Sequence, residues 1–504
     1  MKTTFTTVST AIFCFMNVIA FAQSDELDST FGVNGKAKTT IGGSSASYAI
    51  AIQSDNKIVA AGSSYNGDNF DFALARFKAN GQLDASFGTG GKVITDLGGD
   101  ETARSVNLTN EKKIIAAGYS SSGFCLIRYN AFGKIDSSFG TNGIATTDFN
   151  GDGGICFASV IQTDGKIVAV GTSSGNFVIV RYNANGKIDK TFGVKGILIA
   201  DPAKNGYNSA QAVRLQSDGK IVVTGYSGYF GTRRFLVTRI NTNGTLDSTF
   251  GRNGKRYTDF TNFFGLDNLA WALAITATGK IYAGGQSTGE ETGNYDEFSI
   301  ARYKTNGKLD KTFSGDGKVL TDFDGFDDGI NAILPMPNGK VIAIGTLYAP
   351  NLTGIIRYNI DGSPDASFGT NGKLTTNYKR PTAAILQDNG KYLVAANDEF
   401  TVVRYKADNN PLTAGPAIAE VNKAPSSGAI ILAPNPVRDV VHINNLDPTA
   451  ASVLSVINAS GKIILRTTVT GTNYSMDTKS IPVGMYYLHI VTNKKITDIK
   501  FIKQ

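Results

Sequence analysis

The chain has 504 residues, enough for a large hydrophobic core and for more than one domain. Its 57 glycines, 10% aromatic residues and 18% charged residues are typical of a folded protein with many turns and exclude an intrinsically disordered chain. The net charge of +7 is spread along the sequence and forms no basic run, so no nucleic acid is expected as a partner.

The N-terminus is predicted to be a signal peptide over residues 1–22. Lys2 supplies a positive charge, an apolar segment runs from Ala11 to Ala20, and Ala20-Phe21-Ala22 is a cleavage site of the small-x-small type. Because the apolar segment is too short to span a bilayer, we expect an exported, soluble protein. Cys125 and Cys156 each lie in a strand-like segment, which favours buried free thiols over a disulfide.

One phrase, Leu-Asp-Ser-Thr-Phe-Gly in its fullest form, recurs seven times along the chain. Its phenylalanines stand 52 to 63 residues apart and are Phe31, Phe87, Phe139, Phe192, Phe250, Phe313 and Phe368. A period of this size indicates stacked supersecondary units that bury their apolar faces against one another.

Each repeat contains four short strand-like segments separated by turns rich in Asn-Gly and Asp-Gly. Two of them are an aliphatic run after a Gly-Lys turn, as in Lys166–Ala169, and a Phe-x-x-x-Arg-Tyr pattern, as in Phe177–Tyr182. Such turns favour tight hairpins, and the connections are too short for crossover helices, so each repeat is predicted to be a four-stranded antiparallel meander.

Seven meanders arranged radially form a β-propeller, which leaves only short sheet edges. A parallel β-helix is the alternative, but its rungs are shorter than these units. The first copy of the phrase precedes the first full unit, so this N-terminal segment can dock beside the last repeat. The phase of the repeats does not fix how the ring closes.

The phrases DGKIVAVG, FVIVRYNANGKID and LDSTFGRNGK resemble the delta-60 repeat, a β-propeller family of bacterial secreted proteins. The resemblance covers about Leu27 to Lys406 and is present in all seven units. It implies a β-propeller fold, over residues 23–408, and implies no settled activity.

After Tyr405 the repeat ends, and a segment rich in Pro, Ala, Gly and Ser predicts a linker over 409–428. Five strand-like segments beyond it predict a small β-sandwich over 429–504. Its landmark residues are Pro434, Asn435, Pro436, Gly461, Gly484 and Tyr486. Together they resemble the type A C-terminal sorting domain of the type IX secretion system. The resemblance implies the type IX secretion machinery as a partner and a protein that is secreted or held at the outer-membrane surface.

Seven aspartates and seven arginines occupy fixed positions in the repeat. The aspartates are Asp28, Asp84, Asp136, Asp189, Asp247, Asp310 and Asp365, and the arginines are Arg76, Arg128, Arg181, Arg239, Arg302, Arg357 and Arg404. An Asp followed closely by Ser or Thr suits an Asx-type turn, and one Arg per Asp predicts a repeated bidentate ion pair. The alternative is an arginine ring that binds an anion in the central channel; the structural interpretation is favoured because each Arg lies in a strand beside aromatic residues.

Acidic residues follow one strand in several units, for example Asp96 with Asp100 and Glu101. Their oxygens suit Ca²⁺, but none of these groups has the full spacing of a calcium loop, so solvated turns are favoured. No cofactor is predicted, and Ca²⁺ stays open. Two Gly-x-Ser-x-Gly sequences lie in turns between strands, and the only histidines, His442 and His489, are in the tail, so no catalytic residue is predicted.

Extra residues interrupt the repeat in the turn after the aliphatic strand. Aromatic and arginine side chains gather there, namely Tyr65, Phe70, Tyr226, Tyr229, Phe230, Arg233, Arg234, Tyr295 and Tyr348. Because each of these turns occupies the same place in its unit, all are expected on one face of the ring. They predict a binding face for a glycan or a protein, and packing of each turn's own aromatic residues is an equally weighted alternative.

The sequence therefore predicts an all-β protein, a seven-bladed β-propeller followed by a small C-terminal β-sandwich. Residues present in every repeat cannot mark one site, so function is expected where the repeat is interrupted. The favoured hypothesis is a monomeric, non-enzymatic extracellular binding scaffold for an unknown glycan, protein or polymer. A carboxylate-dependent hydrolase or lyase and a structural surface component are the alternatives.

Overall fold

The structure is a computed structural model that describes residues 26–200, 203, 206–260, 267–288, 295–323, 327–349, 351–406, 431–433, 439–444, 446–448, 450–458, 463–482, 484–492 and 495–503. These residues form strands and turns without a helix, which confirms the predicted all-β class. Accordingly, the described part of the chain offers no helix able to cross a bilayer. The chain divides into two compact units, one up to Thr413 and one from Ala414.

The first unit contains 28 strands grouped in seven four-stranded sheets, which are the blades of a propeller. Strand β1 is Lys36–Thr39. Blade 1 contains β2 (Ser45–Ile52), β3 (Ile58–Tyr65), β4 (Phe70–Phe77) and β5 (Lys92–Thr95). Blade 2 contains β6 (Thr102–Leu108), β7 (Ile114–Ser120), β8 (Gly123–Tyr129) and β9 (Ile144–Thr147). Blade 3 contains β10 (Ile155–Ile161), β11 (Ile167–Ser173), β12 (Asn176–Tyr182) and β13 (Ile197–Ala200).

The remaining blades follow the same plan. Blade 4 contains β14 (Tyr207–Leu215), β15 (Ile221–Gly228), β16 (Arg234–Ile240) and β17 (Lys255–Thr258). Blade 5 contains β18 (Asn268–Ile275), β19 (Ile281–Thr288), β20 (Asp296–Tyr303) and β21 (Lys318–Thr321). Blade 6 contains β22 (Asp328–Pro335), β23 (Val341–Leu347), β24 (Leu352–Tyr358) and β25 (Lys373–Thr376). Blade 7 contains β26 (Pro381–Leu386), β27 (Tyr392–Asn397) and β28 (Phe400–Tyr405), and β1 completes it.

Each blade is an antiparallel meander, as the hairpin turns predicted. The strand after the repeated phrase, such as β5, is the outermost strand of its own blade, because it pairs with β4. The central strands are buried almost along their whole length, as β11 shows. Both faces of a blade pack against neighbouring blades, so an aliphatic run appears in these strands in place of an apolar–polar alternation.

The first strands of the blades form a closed inner ring. Strands β2, β6, β10, β14, β18, β22 and β26 each contact the first strand of the next blade, and β26 contacts β2. This ring encloses the central channel. The hydrophobic core lies between the blades, and Cys125 and Cys156 are buried there as free thiols, where burial raises the pKa of both to about 12.

The ring closes by joining the two ends of the propeller. Strand β1 pairs antiparallel with β28, with Lys36 opposite Val403 and Thr39 opposite Phe400. The amide of Gly32 donates to the Asn80 carbonyl at 2.7 Å, and an equivalent bond joins five other pairs of neighbouring blades. Blade 7 is therefore built from both ends of the repeat region.

The second unit contains two sheets. One has the order β29 (Ile431–Ala433), β30 (Val440–Asn444) and β33 (Asn473–Asp477), and the other has the order β32 (Ile463–Val469), β31 (Ser452–Asn458), β34 (Gly484–Thr492) and β35 (Lys495–Lys503). Buried residues of both sheets share one apolar core, as expected for a sandwich.

Two landmarks of the predicted sorting domain, Gly484 and Tyr486, lie in β34. The Tyr486 ring stacks on Phe501 at 5.7 Å between centroids, and its hydroxyl donates to the Pro482 carbonyl at 2.9 Å. The predicted signal peptide (1–22), the predicted linker (409–428), and Pro434, Asn435, Pro436 and Gly461 lie outside the described residues.

Candidate functional site

The repeated aspartates and arginines form one ion pair in every blade. The Arg Nε atom lies 2.5 to 2.9 Å from the Asp Oδ2 atom in all seven pairs. A lysine that precedes the second strand of the blade lies 2.6 to 3.6 Å from the same oxygen; these are Lys57, Lys113, Lys166, Lys220, Lys280, Lys340 and Lys391. We call this set of Asp, Arg and Lys residues the ion-pair belt.

Blade 1 shows the geometry of the belt. Arg76 donates through Nη1 to the Ala131 carbonyl of blade 2 at 2.5 Å and through Nη2 to Ser86 at 3.3 Å. Its Cζ atom lies 4.5 Å from the Phe87 ring centroid. Asp84 Oδ1 accepts from the Ser86 amide and hydroxyl, as the predicted Asx-type turn requires.

The belt corrects one detail of the sequence interpretation and excludes its alternative. The pairs are not bidentate, because the guanidinium uses its remaining N–H groups on the next blade and on a hydroxyl. The seven arginines are all less than 10% exposed and lie on the third strand of each blade, so they do not form an anion-binding ring in the channel. Burial raises the pKa of Asp84, but hydrogen bonds from Ser86 and the charges of Arg76 and Lys57 outweigh it and bring this pKa to about 2.

The turns between the second and third strands lie beside the segments that lead into the innermost strands. The Phe70 amide of blade 1 donates to Asp100 Oδ1 at 3.0 Å, and the Asn268 amide of blade 5 donates to the Arg233 carbonyl of blade 4 at 2.8 Å. The Tyr348 amide donates to the Asp327 carbonyl at 2.9 Å. The long turns therefore share one face of the ring with the mouth of the channel.

Six residues of the predicted binding face lie on three consecutive blades. Tyr226, Tyr229, Phe230 and Arg233 come from blade 4, Tyr295 from blade 5 and Tyr348 from blade 6, so three consecutive blades supply these side chains. We call this set the aromatic ledge. Tyr65 and Phe70 belong to blade 1, where their rings pack on each other at 5.3 Å between centroids although Phe70 is 40% exposed.

Arg233 organises the aromatic ledge. Its Cζ atom lies 5.5 Å from the Tyr226 ring centroid and 5.2 Å from that of Phe230, and its guanidinium forms an ion pair with Asp267. The outward rings remain open to solvent, since Phe230 is 79% exposed, Tyr229 57%, Tyr295 44% and Tyr348 43%. Rings held open beside an ordered cation are suited to ligand contact.

Carboxylates lie beside the aromatic ledge. Asp296 accepts hydrogen bonds from Thr288, at 2.8 Å, and from Gln286, and its amide donates to Asp327 Oδ1 at 3.0 Å. Burial raises the pKa of Asp296, and the charges of Asp327 and Asp267 raise it further. This side of the face therefore combines open rings with hydrogen-bond acceptors.

Arg234 lies apart from the ledge although it follows Arg233 in sequence. Its guanidinium pairs with Asp259 at 2.5 to 2.6 Å and lies 5.2 Å from the Tyr257 ring centroid on the outermost strand of blade 4. With Arg252 and Lys255 it lines a shallow groove of about 490 Å³. Neighbouring residues of a strand point to opposite sides, which separates the two arginines.

One acidic group converges within the part of the chain that the structure describes. Ligand atoms of Asp71, Asp96 and Glu101 lie within 4.8 Å of one another. Asp71 and Glu101 are buried, and burial raises the pKa of both carboxyls. Asp96 and Glu101 belong to an acidic loop noted in the sequence, whereas Asp71 comes from the adjoining turn and had no sequence signal. Three oxygen ligands suit a hard cation such as Ca²⁺.

A second set of varied residues was missed by the sequence interpretation. Every innermost strand carries a β-bulge at the same place, and the extra residues are Tyr48, Arg104, Phe157, Gln211, Trp271, Asn331 and Thr382. All seven are half-buried on the inner ring. We call this set the bulge ring.

The bulge ring explains a glycine of the repeat. Opposite the bulge, six blades place Gly62, Gly118, Gly171, Gly225, Gly285 or Gly345, where a Cβ would lie 1.8 to 2.0 Å from a carbonyl oxygen of the first strand. A bulge that brings two backbones this close favours glycine, and blade 7, which has Ala396 at this position, is the exception. The glycine that ends the aliphatic run was thus the sequence signal that could have located the bulge ring.

Comparisons with known proteins agree with this architecture. The family described as "Domain of unknown function (DUF5122) beta-propeller" matches residues 53–87, 112–139, 162–192, 216–250, 276–313 and 337–368. A second family, described as "Secretion system C-terminal sorting domain", matches residues 432–504. No curated protein matches the chain significantly.

Several solved structures are similar at low sequence identity. PorZ, an essential bacterial surface component of the type IX secretion system of Porphyromonas gingivalis, is 12% identical over 92% of this chain and 60% of its own length, with a TM-score of 0.45. The WD40 β-propeller domain of Doa1 is 13% identical over 74% of this chain and 98% of its own, with a TM-score of 0.42. Sqt1 from Chaetomium thermophilum is 12% identical over 74% of this chain and 99% of its own, with a TM-score of 0.41.

The chain spans 60% of the length of the PorZ structure. The assignment of the present chain depends on the two family matches. A type IX sorting domain indicates export to the cell surface or the extracellular space and interaction with the type IX secretion machinery. Six segments of the repeat region thus match the DUF5122 β-propeller family, and the chain carries a type IX C-terminal sorting domain.

Proposed function

We propose that this protein is an extracellular binding protein that holds a glycan on the aromatic ledge. The observation that carries the proposal is the exposure of the Phe230 and Tyr229 rings beside the ordered guanidinium of Arg233. Aromatic faces stack on the C–H faces of sugar rings, and the carboxylates of Asp296 and Asp327 accept hydrogen bonds from sugar hydroxyls.

The ledge suits a glycan better than a protein partner. Protein hot spots lie in fully desolvated pockets surrounded by a rim, whereas these rings stand on an open face with carboxylates beside them. The protein acts as a monomer without a cofactor, either released or held at the outer-membrane surface after passage through the type IX machinery.

A carboxylate-dependent hydrolase or lyase is the second candidate. One observation favours it: burial raises the pKa of Asp296, while Arg233 lowers the pKa of Asp267 against the effect of burial. Carboxyl groups with separated pKa values can act as acid and base. Binding is favoured because both groups are already engaged, Asp267 by Arg233 and Asp296 by Thr288 and Gln286.

Glycan binding to the intact exported protein tests the proposal. The Tyr229→Ala/Phe230→Ala variant is expected to lose at least about tenfold in affinity for the best glycan on an array. Phe132→Ala is the matched control, because Phe132 is 65% exposed in a turn between a third and an outermost strand and lies outside the ledge. Unchanged glycan affinity in the ledge variant would overturn the proposal.

An assay of glycan turnover with the same protein distinguishes binding from catalysis. Turnover of the bound glycan that disappears in Asp296→Asn, with binding retained, would replace the binding proposal by the hydrolase. Specific capture of a protein partner in place of any glycan would also contradict it.

A further inference from the structure

We propose that the bulge ring forms a second binding site, independent of the aromatic ledge, for a carboxylated sugar such as a uronic acid. The site lies at the end of the innermost strands that faces the long turns, because the bulges occur near the beginning of these strands. Its central residue is Arg104.

Arg104 is held between the aromatic residues of the two neighbouring blades. Its Cζ atom lies 4.4 Å from the ring centroid of Tyr48, in blade 1, and 5.6 Å from that of Phe157, in blade 3. Among the described residues, none accepts a hydrogen bond from Arg104 and none forms an ion pair with it. The Arg104 side chain is half-buried, and its N–H groups are not fully enclosed by the protein.

The fold does not need an arginine at this position. The same bulge forms in the other blades with Tyr, Phe, Gln, Trp, Asn or Thr as the extra residue. The belt arginines differ, since each has an aspartate partner and packs on a phenylalanine. An oriented guanidinium with open N–H groups is suited to a carboxylate, which it can bind through two parallel hydrogen bonds.

The innermost strands themselves contain more positive than negative charge. Its seven strands contain two arginines, Arg104 and Arg214, and a single acidic residue, Asp328. Asp328 is fully buried, and its Oδ2 atom accepts from the Phe323 amide at 3.0 Å. Arg214 donates to the Val213 carbonyl at 2.9 Å. A net positive charge on these strands favours an anion in the channel, whereas the carboxylates of this face, such as Asp100 and Asp327, lie in the segments that lead into the strands.

The other members of the bulge ring suit the sugar part of the ligand. Gln211 donates to Ser209 at 2.8 Å, which leaves its carbonyl oxygen as an acceptor, and Asn331 accepts from Thr346 at 2.9 Å, which leaves its amide as a donor. The Trp271 indole packs against Gly329, where a Cβ would lie 2.5 Å from the ring. The same inner ring thus carries two amides and three aromatic residues besides Arg104, which are suited to hydroxyl contacts and stacking.

Trp271 provides the measurement, because it is the only tryptophan of the chain. Titration of the intact protein with glucuronate is expected to change its tryptophan fluorescence, with calorimetry as an independent readout. Glucose and inorganic sulfate separate the two parts of the ligand: we expect both to bind at least about tenfold more weakly than glucuronate. Equal binding of glucose, or of sulfate, would overturn the proposal, as would the absence of glucuronate binding in both readouts.

Variants connect the binding to Arg104. Arg104→Gln keeps a polar side chain of similar length and is expected to lose at least about tenfold in glucuronate affinity at unchanged thermal stability. Arg252→Ala is the matched control, an exposed arginine between β16 and β17. The ledge variant Tyr229→Ala/Phe230→Ala should bind glucuronate as well as the unmodified protein. Wild-type glucuronate affinity in Arg104→Gln would overturn the proposal, whether or not the aromatic ledge binds a glycan.

Discussion

The ion-pair belt and the bulge ring draw on the same seven blades but use arginine in opposite ways. In the belt every blade repeats the same residue types, and each arginine has an aspartate partner and packs on an aromatic ring. In the bulge ring the residue type changes from blade to blade, although three of the seven residues are aromatic. Arg104 packs between two aromatic rings and has no acidic partner among the described residues.

The comparison teaches that partners, rather than residue type, separate structural from functional positions. A buried charge without a partner is costly. A charged residue that is buried in all seven blades therefore needs a partner within the protein. A position that varies without disturbing the strand is free to serve a ligand. Substitutions in the belt should therefore change stability, and substitutions in the ledge or the bulge ring should change binding.

The largest expected effect is in the belt. Arg76→Met keeps the aliphatic stem but leaves Asp84 as a buried carboxylate without its guanidinium partner, which is expected to cost about 3 to 5 kcal/mol in the free energy of unfolding. Denaturant unfolding measures the loss. Arg252→Ala, an exposed arginine, should stay within about 0.5 kcal/mol. A loss below about 1 kcal/mol in Arg76→Met would contradict the assigned role of the belt.

A stabilising substitution is expected at Asp328, a buried acid that forms no ion pair with the described residues. The pKa of Asp328 is raised to about 8, chiefly by burial, from an ordinary value of 3.8. The Asp328 carboxyl loses its proton at lower pH in the unfolded chain than in the folded protein. The free energy of unfolding therefore falls as the pH rises from about 4 to 8. Asn208 and Asn268 occupy the same position in blades 4 and 5, and each accepts a backbone N–H from the segment before it.

Asp328→Asn should accordingly raise the free energy of unfolding at pH 7.5 by at least about 2 kcal/mol and have little effect at pH 4. Chemical unfolding at the two pH values tests this. A destabilised variant at pH 7.5, or an equal effect at both values, would show that Asp328 is ionised in the folded protein.

Acid should weaken the belt. Burial raises the pKa of the belt aspartates, but their hydrogen bonds and cationic partners outweigh it, so that the pKa of Asp84 falls to about 2 and that of Asp28 lies well below its usual range. A lowered pKa in the folded state adds stability above pH 4 that disappears as the pH falls toward 2. Thermal unfolding between pH 5 and 2 measures the decline, which should be shallower in Arg76→Met. Parallel curves for the two proteins would argue against this origin.

The smallest effect on stability is expected at the ledge. The Tyr229 and Phe230 rings are exposed, so their replacement by alanine should change the free energy of unfolding by no more than about 0.5 kcal/mol. Calorimetric melting is the measurement. A clear loss of stability would indicate that the long turn of blade 4 packs its own aromatic residues, as the turn of blade 1 does.

The repeat made most of the fold predictable, because seven copies of one hairpin pattern leave few arrangements. The sequence did not predict that β1 closes the ring. The phase of the repeat is the same whether or not an N-terminal strand completes the last blade. The belt pairs were predicted, but their geometry was not, because the Nη1 acceptor Ala131 comes from the next blade. The meeting of Asp71 with Glu101 depends on a contact between adjoining loops that spacing does not reveal.

The bulge ring shows a different limit. A residue such as Arg104 or Trp271 stands at an equivalent position in three dimensions but looks unrelated to its counterparts in the sequence. Only the glycine across the strand pair, such as Gly118, repeats. Structural positions are therefore easy to recognise in a repeated sequence, whereas the varied positions are not. The varied positions are the ones proposed to bind a ligand.

One crossed measurement tests the central claim most directly: unfolding free energy and glycan affinity, both determined for Arg76→Met and for Tyr229→Ala/Phe230→Ala in the intact protein. The account predicts that Arg76→Met loses stability and keeps its affinity while folded, and that the ledge variant keeps its stability and loses its affinity. Loss of affinity in the folded belt variant, or full affinity in the ledge variant, would contradict the separation of structural and functional positions.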